Sequence, residues 1–457
     1  MAPQYAPSLR SRLAPLLIIL QAAFIIIYVF FDKVIIDKQK DKDTFSNFYA
    51  EFQDVNVIVI VGFGFLSTFL VRYGFSGSGF NLLVAVVATQ WAVILKGFKS
   101  WYDGGEFTLS LRSLVDAEMC AASALISIGG VLGKTNAVQL VVISLLEVSG
   151  FVLNTWILET LVKVHSLTAI MMLHVFGAFF GLMLTWVLFR KGSEQQFEKE
   201  TYDRKTGLFS MLGECNFVVL WFAGQCREWG NYASTGETSR RLENGNPLRH
   251  SFSPGAVFLW MFWPSFNSVL VDSPKRKLEV VCGTYLALAA SVVTAAAVSV
   301  LSSPKGKLNL IHIQSCILAG GVAVGVASSA VHQPWEAMTI GFTAAVVSTI
   351  GVQYIKNHML LAFQCHDTSG VLSAHGFPGL LGWLAHLLLQ IKDCEDHTIA
   401  IRFAVFHICT LLITITMSLS MGIITGECLK KLWWVHNIKV IYTQKQFHLQ
   451  QFYISAE

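Results

Sequence analysis

His174-Val-Phe-Gly-Ala-Phe-Phe-Gly181 and His375-Gly-Phe-Pro-Gly-Leu-Leu-Gly382 share the pattern H-x-F-x-x-x-x-G, and their placement decides the fold. The chain carries twelve mostly apolar runs, at 12–31, 55–71, 80–97, 112–132, 137–157, 167–189, 256–272, 279–301, 310–330, 336–355, 371–391 and 400–425. Each run is long enough to cross a bilayer as a helix. The first copy lies in the sixth run and the second in the eleventh, so five spans separate equivalent positions. An odd number of spans turns the second copy upside down. Runs 2–6 and 7–11 therefore read as an inverted repeat, whose pathway is expected near mid-membrane at the repeat interface.

The expected fold is thus an all-α polytopic membrane protein of about 12 transmembrane helices. It is a five-plus-five inverted repeat with one extra helix at each end. Residues 1–11 are expected as a cytoplasmic N-terminus and 12–425 as the transmembrane domain, with halves 55–189 and 256–391. Residues 426–457 are expected as a cytoplasmic tail. Arg10, Arg12, Lys430 and Lys431 place both termini on the cytoplasmic side.

Composition agrees. Of 457 residues, 54% are hydrophobic and only 14% charged, whereas soluble domains carry about 25% charged residues. The net charge of +4 is scattered over loops, which argues against a nucleic-acid partner. The nine cysteines form no C-x-x-C pair, and most fall in spans, where a thiol packs as a small apolar group. Cys365-His366 has no second ligand pair, so neither a metal nor another cofactor is expected. Gly74-Phe-Ser-Gly-Ser-Gly79 is expected to form a tight turn between spans rather than a phosphate cradle. Gly321 and Gly325 make a G-x-x-x-G that lets helices approach closely and is expected to serve assembly. No nucleophile elbow, P-loop or zinc-protease motif is present, and no enzymatic activity is expected.

Ionisable groups inside spans usually line a pathway. A neutral imidazole both donates and accepts a hydrogen bond. Two such rings, His174 and His375, suit a small uncharged polar solute. A cation would have to shed its proton first, because burying it dry costs several kcal/mol. The competing reading makes each histidine a helix-packing residue bonded to a neighbouring carbonyl.

Val131-Leu-Gly-Lys134, Phe258-Leu-Trp-Met-Phe-Trp-Pro-Ser-Phe-Asn-Ser268 and Leu318-Ala-Gly-Gly-Val-Ala-Val-Gly325, together with the two histidine segments, resemble the Rh branch of the ammonium transporter and Rh glycoprotein superfamily. The resemblance covers almost the whole chain. It implies a trimer with a pore in each protomer, with His174 and His375 as paired pore histidines. It also implies Phe266 as one of two stacked gate residues, the other gate position being held here by Ile128. Eight residues before His174 the resemblance calls for an aspartate, and this chain has Ser166. The position eight residues before His375 keeps its acid, Asp367. Asp367 suits either a pore vestibule or a helix cap. Glu147 and the absence of any Asn-x-Ser/Thr sequon resemble the unglycosylated Rh blood-group polypeptides. A polar stretch at 214–255 interrupts the approach to the span bearing Phe266 and reads as a disordered loop.

Two functions follow from these residues. The first is a plasma-membrane channel passing ammonia, with methylamine or carbon dioxide as further candidates. The alternative is a non-conducting structural subunit that assembles with Rh glycoproteins and anchors them to the membrane skeleton. A homo- or hetero-trimer with Rh family members is expected in either case.

Overall fold

The computed structural model describes residues 9–30, 42–64, 74–102, 104, 109–132, 134–188, 254–303 and 316–433. Among them the fold is helical throughout, with no strand. The helices are α1 (Ala14–Phe30), α2 (Lys42–Val57), α3 (Gly74–Tyr102), α4 (Leu111–Val131), α5 (Ala137–Thr160), α6 (Ser166–Met171) and α7 (Leu173–Leu188) in the first part of the chain. The second part holds α8 (Pro254–Ser268), α9 (Pro274–Leu301), α10 (Ala319–Val326), α11 (Pro334–Ile350), α12 (Lys356–Phe363), α13 (Phe377–Asp393) and α14 (His397–Trp433). A π-helical turn, Ile58–Phe63, extends α2, and another, Leu372–Gly376, leads into α13.

Nine helical stretches among the described residues are long and apolar enough to cross a membrane. The other three expected spans fall on α2 with its π turn, on α8 and on α10. In each of these the chain leaves the described residues at one end. Residues 214–253 of the expected polar stretch also lie outside the described residues, whereas Pro254 and Gly255 open α8.

Local sequence sets the helix starts. Ser110 and Ser113 form a capping box on α4, and Asn136 and Gln139 form one on α5. Each such cap contributes about 1 kcal/mol. Pro274 and Pro334 sit in the first turns of α9 and α11, where the missing N–H is harmless.

Several boundaries differ from the hydropathy reading: α14 runs on to Trp433, past the expected end at 425, and two others have a visible cause. Helix α2 begins at Lys42, well before the apolar run at 55, and the polar residues just ahead of that run find partners. Lys277 donates to Glu51 (2.7 Å), and Ser265 donates to Asp54 (2.6 Å). The Gly74–Gly79 segment is not a tight turn but the opening of α3, where the long apolar run that follows carries the helix back through weak helix formers.

The packing is duplicated. Helix α3 packs on α4 and α5, α4 packs on α5, and α4 packs on α7. In the second half α9 packs on α10 and α11, α10 on α11, and α10 on α13. The glycine closing each copy of the repeated motif explains its presence. A Cβ at Gly181 would lie 2.7 Å from the Ser127 carbonyl of α4, and one at Gly382 would collide with the Ala323 carbonyl of α10. Only glycine lets the backbones touch there.

The structure overturns one expectation about assembly. Gly321 and Gly325 face this chain's own α8, because added Cβ atoms would meet Trp263 and Asn267. The G-x-x-x-G stripe therefore holds α8 inside the protomer and offers no surface to another copy.

Candidate functional site: a buried histidine pair

Helix α7 brings His174 to the centre from one side of the bundle, and the π turn before α13 brings His375 from the other. Their rings stack with centroids 5.3 Å apart and planes 12° off parallel. Trp263 stacks on His174 at 5.8 Å, and Phe63 lies 6.2 Å from Trp263 and 5.9 Å from His375. The four rings close a circuit. Phe266 covers it on one side, 6.3 Å from His174 and 5.8 Å from Trp263. His174 and Phe266 are fully buried, and His375 and Phe63 nearly so.

The polar atoms of this circuit are unusual for a packed core. Both ring nitrogens of His174, Nδ1 of His375 and Nε1 of Trp263 are buried without a hydrogen-bond partner. Buried polar atoms are nearly always paired, and leaving one unpaired costs about 1–3 kcal/mol. The reading of each histidine as a packing residue bonded to a neighbouring carbonyl does not describe His174.

The remaining candidates do not gather here. Asp367 lies in the loop before the π turn and is 3% exposed. Its Oδ1 accepts from the N–H groups of Gly370 and Val371, and its Oδ2 from Leu372, each at 2.9 Å. Of the two roles open to it, this geometry is that of a helix cap. Ser166 opens α6 and is exposed, and the preceding residue supplies the cap there, with His165 Nδ1 accepting from Leu167 N at 3.3 Å.

Ile128 is buried near the far end of α4 and does not meet Phe266. Arg112 in the first turn of α4 donates to the Leu270 carbonyl (3.2 Å), just past Phe266. Ile128 lies sixteen residues farther along, about 24 Å down the helix. The adjacent Gly129 carbonyl accepts from Ser369 N (3.3 Å) at the opposite face of the bundle.

That opposite face is tied together by Lys134. Its Nζ lies within hydrogen-bond reach of four acceptors, the Gly130 carbonyl (2.9 Å), Thr185 Oγ1 (2.6 Å), Thr368 Oγ1 (3.0 Å) and the His366 carbonyl, which share its three protons. Lys356 adds a bond to the Thr368 carbonyl at 2.9 Å. Burial, Lys134 and Lys356 together push the His366 imidazole down to about 3, so it is neutral at physiological pH. On the other face, the Arg112 hydrogen bond holds the Asp272 carboxyl below its ordinary value. Among the described residues no cluster of three or more His, Cys, Asp or Glu could hold a metal ion.

Phe63 and Trp263 were not singled out by sequence reasoning. Trp263 sits in the Trp-Pro-Ser-Phe-Asn-Ser segment, three residues from Phe266 on the same helix. That spacing was the available signal, since i and i+3 share a helix face.

Comparison with known proteins agrees with this architecture. The profile described as Ammonium Transporter Family matches residues 17–224 and 242–446, leaving 225–241 between the two stretches. Ammonium transporter Rh type C of Canis lupus familiaris is 32% identical over 459 residues, covering 93% of this chain and 91% of that protein. Ammonium transporter Rh type A of Bos taurus is 35% identical over 387 residues, covering 84% of this chain and 80% of that protein. Among solved structures, Nitrosomonas europaea Rh50 superposes with a TM-score of 0.67 at 25% identity, covering 90% of this chain and 96% of that one. The chain belongs to the ammonium transporter family, in its Rh branch.

Proposed function

We propose that this protein is an Rh-type channel that passes neutral ammonia between His174 and His375. The observation that carries this reading is the set of unpartnered nitrogens on His174, His375 and Trp263 inside a fully enclosed aromatic circuit. A solute that both donates and accepts hydrogen bonds would satisfy these atoms. Ammonia does so, and carbon dioxide or methylamine could be tested beside it. Ammonium would have to leave its proton outside the circuit, since among the described residues no carboxylate pairs with the histidines and a dry cation costs several kcal/mol. Phe266 acts as the cover on the side of Asp272, and Asp367 acts as the cap that holds the turn bearing His375. The assembly is a trimer in the plasma membrane, homomeric or shared with Rh relatives, with both termini cytoplasmic.

The second reading, a non-conducting subunit that joins Rh relatives and the membrane skeleton, draws support from Ser166 and from the separation of Ile128 and Phe266. Purified protein in liposomes separates the two. On an inward ammonium gradient the channel reading predicts internal alkalinisation faster than in empty liposomes. It also predicts a fall of about tenfold or more in His174→Ala and His375→Ala, from a lost hydrogen bond and an unpaired neighbour. Native protein no faster than empty liposomes would favour the structural subunit.

A further inference from the structure

We propose that Glu147 is a positioning residue which, through Ser123 and Ser127, fixes where the helix bearing His174 sits; this rests on His174 lining the conducting path. Glu147 lies in the middle of α5, is fully buried, and its Oε2 has no partner. A carboxyl at such a place is costly beside a leucine of similar size, and ionisable groups within spans mark function.

The contacts of Glu147 lead to the helix of His174. Ser123 donates to Glu147 Oε1, and its Oγ also lies 3.3 Å from the Leu173 carbonyl. Ser127 Oγ is 3.5 Å from the same Oε1 and donates to the Gly177 carbonyl at 2.9 Å. Leu173 and Gly177 bracket His174 on α7. The backbones leave no slack, because a Cβ at Gly177 would lie 2.6 Å from the Ser123 carbonyl.

Each serine has a single hydroxyl proton. With Glu147 present, that of Ser123 points to Oε1 and leaves the Leu173 carbonyl to the α7 ladder. Without an acceptor at 147 it turns to Leu173, the residue next to His174, and competes with the ladder there. The expected result is a displaced imidazole in an otherwise folded protein.

The test is a double-mutant cycle read as ammonia-driven alkalinisation of proteoliposomes, with thermal unfolding measured on the same preparations. Glu147→Gln keeps an acceptor on the serines and should stay within about twofold of native flux. Glu147→Leu should lower flux by about threefold to tenfold, the loss of one or two hydrogen bonds. In a His174→Ala background, Glu147→Leu should cause no further fall, because both changes act on one group. An equal fall in both backgrounds, or native flux in Glu147→Leu, would overturn the proposal. Native flux in His174→Ala alone would instead overturn the conduction reading, and the positioning role with it. Should Glu147→Leu fail to reach the membrane, Glu147→Met, which also lacks an acceptor oxygen for the serines, carries the same cycle with the same two outcomes.

Discussion

Replacing Asp367 by alanine strips the acceptors from three backbone N–H groups at the start of the turn that carries His375. Two of these, Gly370 and Val371, bond Oδ1, and the third, Leu372, bonds Oδ2, each at 2.9 Å. A buried donor left unpaired costs about 1–3 kcal/mol, and charge-assisted bonds lie at the upper end. The turn can relax around the shortened side chain, so a net loss of about 3 kcal/mol is expected rather than the full sum. That corresponds to about a hundredfold shift in the equilibrium between ordered and opened turn. Asp367→Asn keeps one acceptor oxygen and should lose about a third to a half as much. The measurement is chemical unfolding of both variants in detergent, paired with ammonia flux in liposomes. A cap predicts that stability and flux fall together, with asparagine between alanine and native. Native stability with reduced flux in both variants would refute the cap and make Asp367 a vestibule charge.

Further outcomes follow from the same structure. Ile128→Phe should not restore a gate, because Ile128 is 1% exposed and sits far from Phe266; it should overpack α4 and cost about 1–3 kcal/mol, and raised flux at native stability would contradict this. Lys134→Met removes the bonds that join α4, α7 and the loop before His375, and should increase hydrogen exchange at 364–371 well above native; unchanged exchange there would show that the lysine is dispensable. Asp272 has its carboxyl held below the ordinary 3.8 by Arg112, so its pairing contributes above that value and is lost as pH falls through the lowered one. The pair is largely exposed, with side chains 46% and 71% accessible, so Asp272→Asn should change stability at neutral pH by less than about 1 kcal/mol; a larger loss in neutral unfolding curves would mean that the loop after α8 depends on this ion pair.

The inverted repeat was legible because its two copies end in glycines that physics requires. Gly181 and Gly382 mark the places where α7 and α13 touch the backbones of α4 and α10. The histidines were legible for the same reason, each seven residues before its glycine. The rest of the circuit was not. Trp263 and Phe63 look like any aromatic in an apolar span, and only the crossing of α8 and α2 brings them to the imidazoles. Asp367 at a helix start fits a cap and a vestibule equally well in sequence, and the direction of three N–H groups distinguishes them. Gly321 and Gly325 announce a close approach without naming the partner helix. The polar part of α2 lay outside the apolar run, and only the structure places Lys277 and Ser265 beside Glu51 and Asp54 there.

The central claim is that the solute crossing between His174 and His375 is uncharged. The most direct test imposes a potassium diffusion potential across proteoliposomes while internal pH reports ammonia entry. A flux carrying one charge through the field would change by up to about tenfold for about 60 mV. The account predicts alkalinisation at one rate whatever the sign of the potential, with no current beyond that of empty membranes. A rate that rises and falls with the imposed potential would contradict it and make ammonium the permeating species.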